Sequence, residues 1–482
     1  MRNGGRIGDR VVRRPRQRET EPVRVRASRR RRFIVSAAAS SMLVLTLGFA
    51  AAIAGGTLLL SLPFASTQEG GAPLLVALFT ATSAMCVTGL VMVESATYWS
   101  GFGQAVIAAL MFMGGLGIMT AGVVILAAIG RRITLNDRLT LSESLGQQSL
   151  GSVTRFGRNV VIFAVAAQAV GFVALMTHFI RDFDIGQALW HSLFLAISGF
   201  NNAGFNIVKG SDSLSMFSGA PIVIGSVGVL ILLGSVSLPV LADIARNRRL
   251  TRLSLDTQLV LVGLLGLWAL GAAAMFAFEF RNPATLGEMG LGDRLGNALF
   301  QATVSRTAGF STIDFGSTRA ATDYLFLLLM AVGGVSGSTA GGIKINTLMV
   351  LLVAAFASLK GRPHPEVFRR ELPYAQIARA IALVALVVAV FIAIIVLLAA
   401  TENTNIAAGK FSFADLLFET VSALGTVGLS RGITGELSDP GHYILTAAMY
   451  VGRLGPLTLG LGLAFRERRA VYRFSQERVR IG

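Results

Sequence analysis

A single cysteine, Cys86, in 482 residues excludes an intramolecular disulfide and any cysteine-based metal centre. Histidine is also scarce. His178, His191, His364 and His442 show no ligand spacing, so no metal site is expected from them. Charge is thin: 14% of residues are charged against 53% hydrophobic, a balance outside that of a soluble domain and inside that of a chain crossing a bilayer many times. Acidic residues are the scarcer sign, 26 against 43 basic ones, leaving a net charge of +17. In a soluble protein such an excess would suggest nucleic acid. Here thirteen arginines fall in residues 1–32 with three acidic residues, no interleaved aromatics and no folded module. That distribution argues against a nucleic-acid partner and for anionic lipid headgroups beside a bilayer.

What the chain has instead is apolar length. Phe33 to Gln68 carries no charge, well beyond the core of a signal peptide and long enough to cross a membrane. Further apolar runs near 101–129, 157–179, 219–242, 255–278, 324–352, 375–400 and 441–465 bring the expected spans to eight. Arginine and lysine gather between alternate pairs of spans. One connection holds Arg131, Arg132, Arg138, Arg155 and Arg158; the next Arg246, Arg248, Arg249 and Arg252; the third Lys360, Arg362, Arg369 and Arg370. The tail adds Arg466, Arg468, Arg469, Arg473, Arg478 and Arg480. By the positive-inside rule these connections and both termini are expected to be cytoplasmic.

Four related segments lie between paired spans: LFTATSAMCVTGL (Leu78 to Leu90), LFLAISGFNNAGF (Leu193 to Phe205), LFQATVSRTAGF (Leu299 to Phe310) and LFETVSALGTVGL (Leu417 to Leu429). They recur roughly a hundred residues apart, the mark of one unit used four times. Each is too short to cross as a helix and polar enough to avoid lipid, which suits a re-entrant helix and loop lining an aqueous path. The expected fold is therefore an all-α integral membrane protein. It has four tandem helix, re-entrant pore loop, helix units with pseudo-fourfold symmetry around a central pore. A ring of backbone carbonyls can replace an ion's hydration shell without burying fixed charge. The candidate filter is Val87, Thr88 and Gly89; Asn202, Ala203 and Gly204; Thr307, Ala308 and Gly309; and Thr426, Val427 and Gly428. The last of these keeps the first three residues of the TVGYG loop of potassium channels. Glycine at the matched position lets carbonyls turn inward, the alternative being a helix C-cap. Thr88, Asn202, Thr307 and Thr426 would add side-chain oxygens, and Cys86 is expected only to pack there.

Three further features fall near these loops. The sixth apolar run is interrupted by Gly333, Gly334, Ser336, Gly337, Ser338, Thr339, Gly341 and Gly342, followed by Lys344. Close packing at GxxxG spacing is one reading; an intramembrane loop that hinders the path, a gate, is the other. Gly342-Ile343-Lys344 breaks the ending a nucleotide-binding P-loop requires. Arg453 lies mid-span, where a cation is costly, and is expected to form a barrier to cations, with a structural salt bridge as the alternative. Arg306 and Glu419, on the third and fourth re-entrant segments, are expected to pair as filter scaffold, with ion attraction by Glu419 as the alternative. No nucleophile, base or metal cluster gathers at one depth, so no enzyme activity is expected, and a closed receptor or scaffold would leave the four loops without a purpose.

The loops, with the run GGVSGSTAGGIK from Gly333 to Lys344, resemble the potassium-translocating subunits of the Trk/Ktr/HKT superfamily, and most closely the KtrB type. The resemblance spans almost everything after residue 33. It implies potassium uptake in a bacterial inner membrane by a homodimer, with K+ at the filter carbonyls and the glycine-rich run as the gate. It further implies a cytosolic regulatory ring of the RCK type, like KtrA or TrkA, with ATP or ADP bound on that partner only. Gly89, replaced by serine in the sodium-selective branch, is retained here, so potassium is favoured over a sodium-conducting or poorly selective alternative. Two stretches depart from the pattern: the extension 1–32, and a tail reading Phe474-Ser475-Gln476 where Tyr-Pro-Glu is more usual. The expected organisation is an extension (1–32), a first unit (33–130), a second with its preceding loop (131–245), a third with the gate (246–360), a fourth (361–465) and a tail (466–482).

Overall fold

The computed structural model describes residues 29–130, 153–210 and 213–465. The first 28 residues, the connection bearing Arg131, Arg132 and Arg138, and the tail after Phe465 lie outside them. The described chain is helical almost throughout. Its paired strands form one short hairpin, Glu366–Val367 with Arg370–Glu371.

The helices fall into four successive sets, each with a long helix, a short one and a returning one. The first is Arg29–Leu60, Leu74–Cys86 and Gly101–Gly130. The second is Val153–Asp182, Ile185–Asn201 and Pro221–Ser235, continued by Leu238–Arg246. The third is Leu255–Glu279, Leu291–Val304 and Ala320–Met330, continued by Ile345–Leu359. The fourth is Tyr374–Thr401, Phe413–Gly425 and Asp439–Phe465. Three long helices, Gly157–Asp182, Leu255–Glu279 and Tyr374–Thr401, have the length and apolarity of membrane spans. Helices hydrophobic on all sides satisfy their own backbone and can meet lipid outside and protein inside. This is a polytopic membrane protein.

Each short helix packs inside its own set and also touches the returning helix of the preceding set. Leu74–Cys86 meets Asp439–Phe465, Ile185–Asn201 meets Gly101–Gly130, Leu291–Val304 meets Pro221–Ser235, and Phe413–Gly425 meets Ala320–Met330. These four contacts close a ring in chain order. The fourth short helix has a polar start: Ser412 and Asp415 form a capping box, Asp415 N–H donating to Ser412 Oγ at 3.3 Å and Ser412 N–H to Asp415 Oδ2 at 2.8 Å.

Two returning runs differ from single straight spans. The run 324–352 is broken as its glycines predict, with no helix between Met330 and Ile345. The run 219–242, expected to cross unbroken, is also interrupted: Pro221–Ser235 and Leu238–Arg246 meet at 96°. Pro239, in the first turn after the break, has no N–H to offer the Ser235 carbonyl four residues back.

Candidate functional site

The four closing glycines converge. A Cβ built on Gly89 would stand 2.6 Å from the Ala203 carbonyl oxygen, and one on Gly204 2.7 Å from Gly309 Cα. One on Gly309 would stand 3.0 Å from Gly204 Cα and 3.1 Å from both the Thr88 and Val427 oxygens, and one on Gly428 2.0 Å from the Thr88 oxygen. Contacts this close mean that any side chain would force the neighbouring backbone to shift, so glycine is favoured by proximity as well as by conformation. The carbonyls of Thr88, Ala203, Ala308 and Val427, each one residue before a glycine, are the groups that face the ring.

Conformation repeats with the same register. In every loop the glycine and the residue two before it have positive φ: Val87 at 56° and Gly89 at 96°, Asn202 at 60° and Gly204 at 74°, Thr307 at 77° and Gly309 at 70°, Thr426 at 49° and Gly428 at 90°. Positive φ at alternate residues turns carbonyls of the loop to one side. For glycine this costs little, but Val87, Thr307 and Thr426 are β-branched, and a left-handed β-branched residue costs about 1–3 kcal/mol. Such strain persists where the surroundings over-determine it.

The side chains of the same residues divide. The hydroxyl oxygens of Thr88, Thr307 and Thr426 are buried without a hydrogen-bond partner. Asn202 is engaged elsewhere, its amide 2.7 Å from the Ser235 hydroxyl. Of the four expected side-chain contributors, three therefore remain unengaged by the protein.

A second set of glycines holds the short helices and is not singled out by the loop motifs. Gly114, Gly234 and Gly452 lie on the returning helices of the first, second and fourth sets, where a Cβ would stand 1.9 Å from the Met85 oxygen, 1.9 Å from Phe200 O and 2.0 Å from Leu424 O. Each of those carbonyls is four residues before its loop glycine. The signal was present in the sequence, since Gly114, Gly234, Gly333 and Gly452 each follow their loop glycine by 24 to 30 residues.

In the third set the corresponding helix is opened into the glycine-rich loop. Gly333 N–H donates to Ile343 O at 2.9 Å and Ile345 N–H to Gly334 O at 3.1 Å, so the two ends of the loop lie side by side. Its middle is docked on the second set: Val335 N–H donates to Ser235 O at 3.2 Å, Thr339 N–H to Gly234 O at 3.2 Å and Thr339 Oγ1 to the same oxygen at 2.9 Å. The acceptors are those released by the break before Pro239. A Cβ on Gly341 would stand 1.9 Å from Thr426 Oγ1, which places the loop directly against the ring. Ser336 and Gly337 are exposed, Ser338 and Thr339 buried, and Gly337 and Gly342 have φ of 82° and 61°. Two cations bind this segment. Lys344 Nζ donates to Ala340 O and, at 3.4 Å, to Gly341 O. Arg453, 3% exposed, donates to Thr339 O and, at 3.4 Å, to Gly114 O. Arg453 thus makes no salt bridge among the described residues; its partners are carbonyls.

The expected pair of Arg306 and Glu419 does not form. Arg306 donates to Leu264 O at 3.0 Å, inside its own set. Glu419, fully buried, accepts from Ser430 Oγ, from Arg431 N–H at 3.2 Å and from Thr434 Oγ1 at 2.9 Å, binding the chain that leaves the fourth loop. A charge wholly satisfied by local donors needs no distant counter-ion. The link between sets three and four is instead Arg431, whose Nη1 lies 2.5 Å from Asp323 and Nε 2.8 Å from Asp415.

Four helix-flanked loops converging inside a polytopic membrane protein are the architecture of a helical ion-transport protein. Residues 36–467 match the family model of TrkH, cation transport protein, and the chain belongs to that family. It is 39% identical over 388 residues to the Ktr system potassium uptake protein B of Bacillus subtilis, covering 80% of this chain and 85% of that protein. It is 35% identical to the Vibrio alginolyticus protein of the same name, covering 80% and 83%. It is 34% identical to the potassium/sodium uptake protein NtpJ of Enterococcus hirae, covering 84% and 88%. The crystal structure of the potassium transporter TrkH from Vibrio parahaemolyticus shares the fold, with a TM-score of 0.67 at 18% identity over 87% of this chain and 83% of that one.

Proposed function

We propose that this protein takes up potassium across the cell membrane through a channel-like path, with the carbonyls before Gly89, Gly204, Gly309 and Gly428 as its selectivity filter. The observation that carries this reading is the repeated left-handed geometry that turns four sets of carbonyls toward one another. The names of the Bacillus and Vibrio relatives support potassium as the ion. In this reading the loop from Gly333 to Lys344 is the gate, lying against Thr426, and Arg453 is both a cationic barrier and the gate's tether. Both termini are cytoplasmic, and the working unit is a homodimer with a cytosolic RCK-type ring that binds ATP or ADP. A docking element for that ring is the hairpin between the third and fourth sets. Its turn residues Phe368 and Arg369 hold φ of 49° and 62°, positions where asparagine and glycine are usual, and Phe368 is half exposed. Strain spent to present an aromatic and a cation is consistent with recognition.

The test is cation flux into liposomes holding the purified protein, under potassium, rubidium and sodium gradients. Potassium and rubidium flux well above sodium flux is the expected result, and Gly89→Ser should lower the potassium-to-sodium ratio. Equal flux of both ions would favour a second reading, a poorly selective or sodium-conducting transporter, to which the name of the Enterococcus relative gives support.

A further inference from the structure

Each short helix carries a hydroxyl six residues before its loop glycine: Ser83, Ser198, Thr303 and Ser422. All four are buried, yet they are used differently. Ser83 Oγ accepts from Gly89 N–H at 3.1 Å, and Ser422 Oγ accepts from Gly428 N–H at 3.0 Å. The Ser198 hydroxyl has no partner. Thr303 is turned away, donating to Leu299 O at 2.9 Å and accepting from Trp268 Nε1 at 3.0 Å. Among the described residues no acceptor meets the N–H of Gly204 or Gly309.

A peptide group is planar and trans, so its N–H and C=O point in opposite directions and cannot turn independently. Pulling the Gly89 N–H back onto Ser83 therefore aims the Thr88 carbonyl forward, and Ser422 does the same for the Val427 carbonyl. Both carbonyls approach Gly309, each 3.1 Å from where its Cβ would be. The corresponding groups between Ala203 and Gly204, and between Ala308 and Gly309, have no such anchor.

We propose that Ser83 and Ser422 are positioning residues for ion discrimination, which fix two of the four carbonyls while the other two adapt. Discrimination between ions of equal charge depends on the number and placement of oxygens, so the anchored pair sets the ratio. This rests on the loops being the filter.

The experiment measures potassium-to-sodium flux ratios in liposomes for the wild type, Ser83→Ala, Ser422→Ala, Ser198→Ala, Ser83→Thr and Gly89→Ser. Each of the first two alanine variants should lower the ratio by about fivefold, the weight of one net hydrogen bond. Ser83→Thr, which keeps the hydroxyl, and Ser198→Ala should leave it in place. A merely structural role would reduce the flux of both ions together and leave the ratio unchanged. Ser83→Cys and Ser422→Cys, with a weak acceptor of similar size, give the same comparison if an alanine variant does not assemble. Unchanged ratios in the serine variants while Gly89→Ser lowers its own would overturn the role of the hydroxyls alone. An equal drop in Ser198→Ala would also overturn it. A ratio that Gly89→Ser leaves untouched, or a wild type that does not discriminate, would remove the filter reading and this proposal with it.

Discussion

At the scale of single residues, the site is built from groups that would be poor choices anywhere else. Val87, Thr307 and Thr426 sit in a backbone conformation that β-branched residues avoid, and Arg453 is buried with carbonyls as partners. In the proposed reading, removing Arg453, which holds Thr339 O, should free the glycine-rich loop and lift a positive charge from the path together. Arg453→Ala is therefore expected to raise potassium flux several-fold at unchanged protein density, whereas Arg453→Lys, a point charge without the forked geometry, should fall between. Liposome flux checks both. The loop glycines and Arg453 were legible in the sequence because their chemistry is out of place in an apolar run. The left-handed turn two residues before each glycine was not, since Val87, Thr307 and Thr426 are β-branched residues that avoid it and only Asn202 is of a type that favours it.

At the scale of elements, the two broken helices explain each other. The second set ends its helix at Ser235 because Pro239 offers no N–H, and the carbonyls of Gly234 and Ser235 then accept from Val335 and Thr339 of the glycine-rich loop. Pro239→Ala restores a competing donor. It is expected to weaken the docking and raise basal flux, with little change in the ion ratio; an unchanged basal flux would mean the loop is held by its other contacts. Close packing at Gly452 sets a different expectation. A methyl there would fall 2.0 Å from Leu424 O, so Gly452→Ala should displace the fourth short helix and cost about 1–3 kcal/mol of stability, seen as a lower melting temperature in detergent. The break near 331–344 was legible from glycine, serine and threonine within an apolar run. The break at Val236 was missed because the run is apolar on both sides, and proline near a helix start is common.

At the scale of the whole molecule, the ring closes through contacts between sets that are distant in sequence. Tyr450 donates to Thr46 O at 2.7 Å, tying the fourth set to the first. Arg431 joins the third to the fourth through Asp323. Two fully buried carboxylates clasp the ends of their own sets: Glu279 accepts from Arg319 N–H at 2.9 Å and from Thr322 Oγ1, and Glu402 accepts from Ser438 N–H at 3.1 Å. Both stand at the start of a returning helix, where free N–H groups favour an anion. Glu402→Gln and Glu279→Gln should each destabilise the protein by about 1–3 kcal/mol, read as thermal melting in detergent. Asp323→Asn, which leaves Arg431 one carboxylate instead of two, should have a smaller effect on melting than either.

The sequence by itself determined that this is a membrane protein of tandem units, because apolar runs, arginine placement and four matched loops each follow from local composition. It also picked out the four loop glycines, since a residue without a side chain is conspicuous when it recurs in register, though not Gly114, Gly234 and Gly452, which pack against the short helices. Only the tertiary structure decided what surrounds them: that Arg306 and Glu419 serve different partners, that Arg453 holds a carbonyl rather than an acid, and that Ser83 and Ser422 anchor their loops while Ser198 does not. The physical reason is range. Hydrogen bonds are made over about 3 Å, and which donor comes that close to which acceptor depends on how helices from different sets are packed, a quantity no single stretch of chain contains.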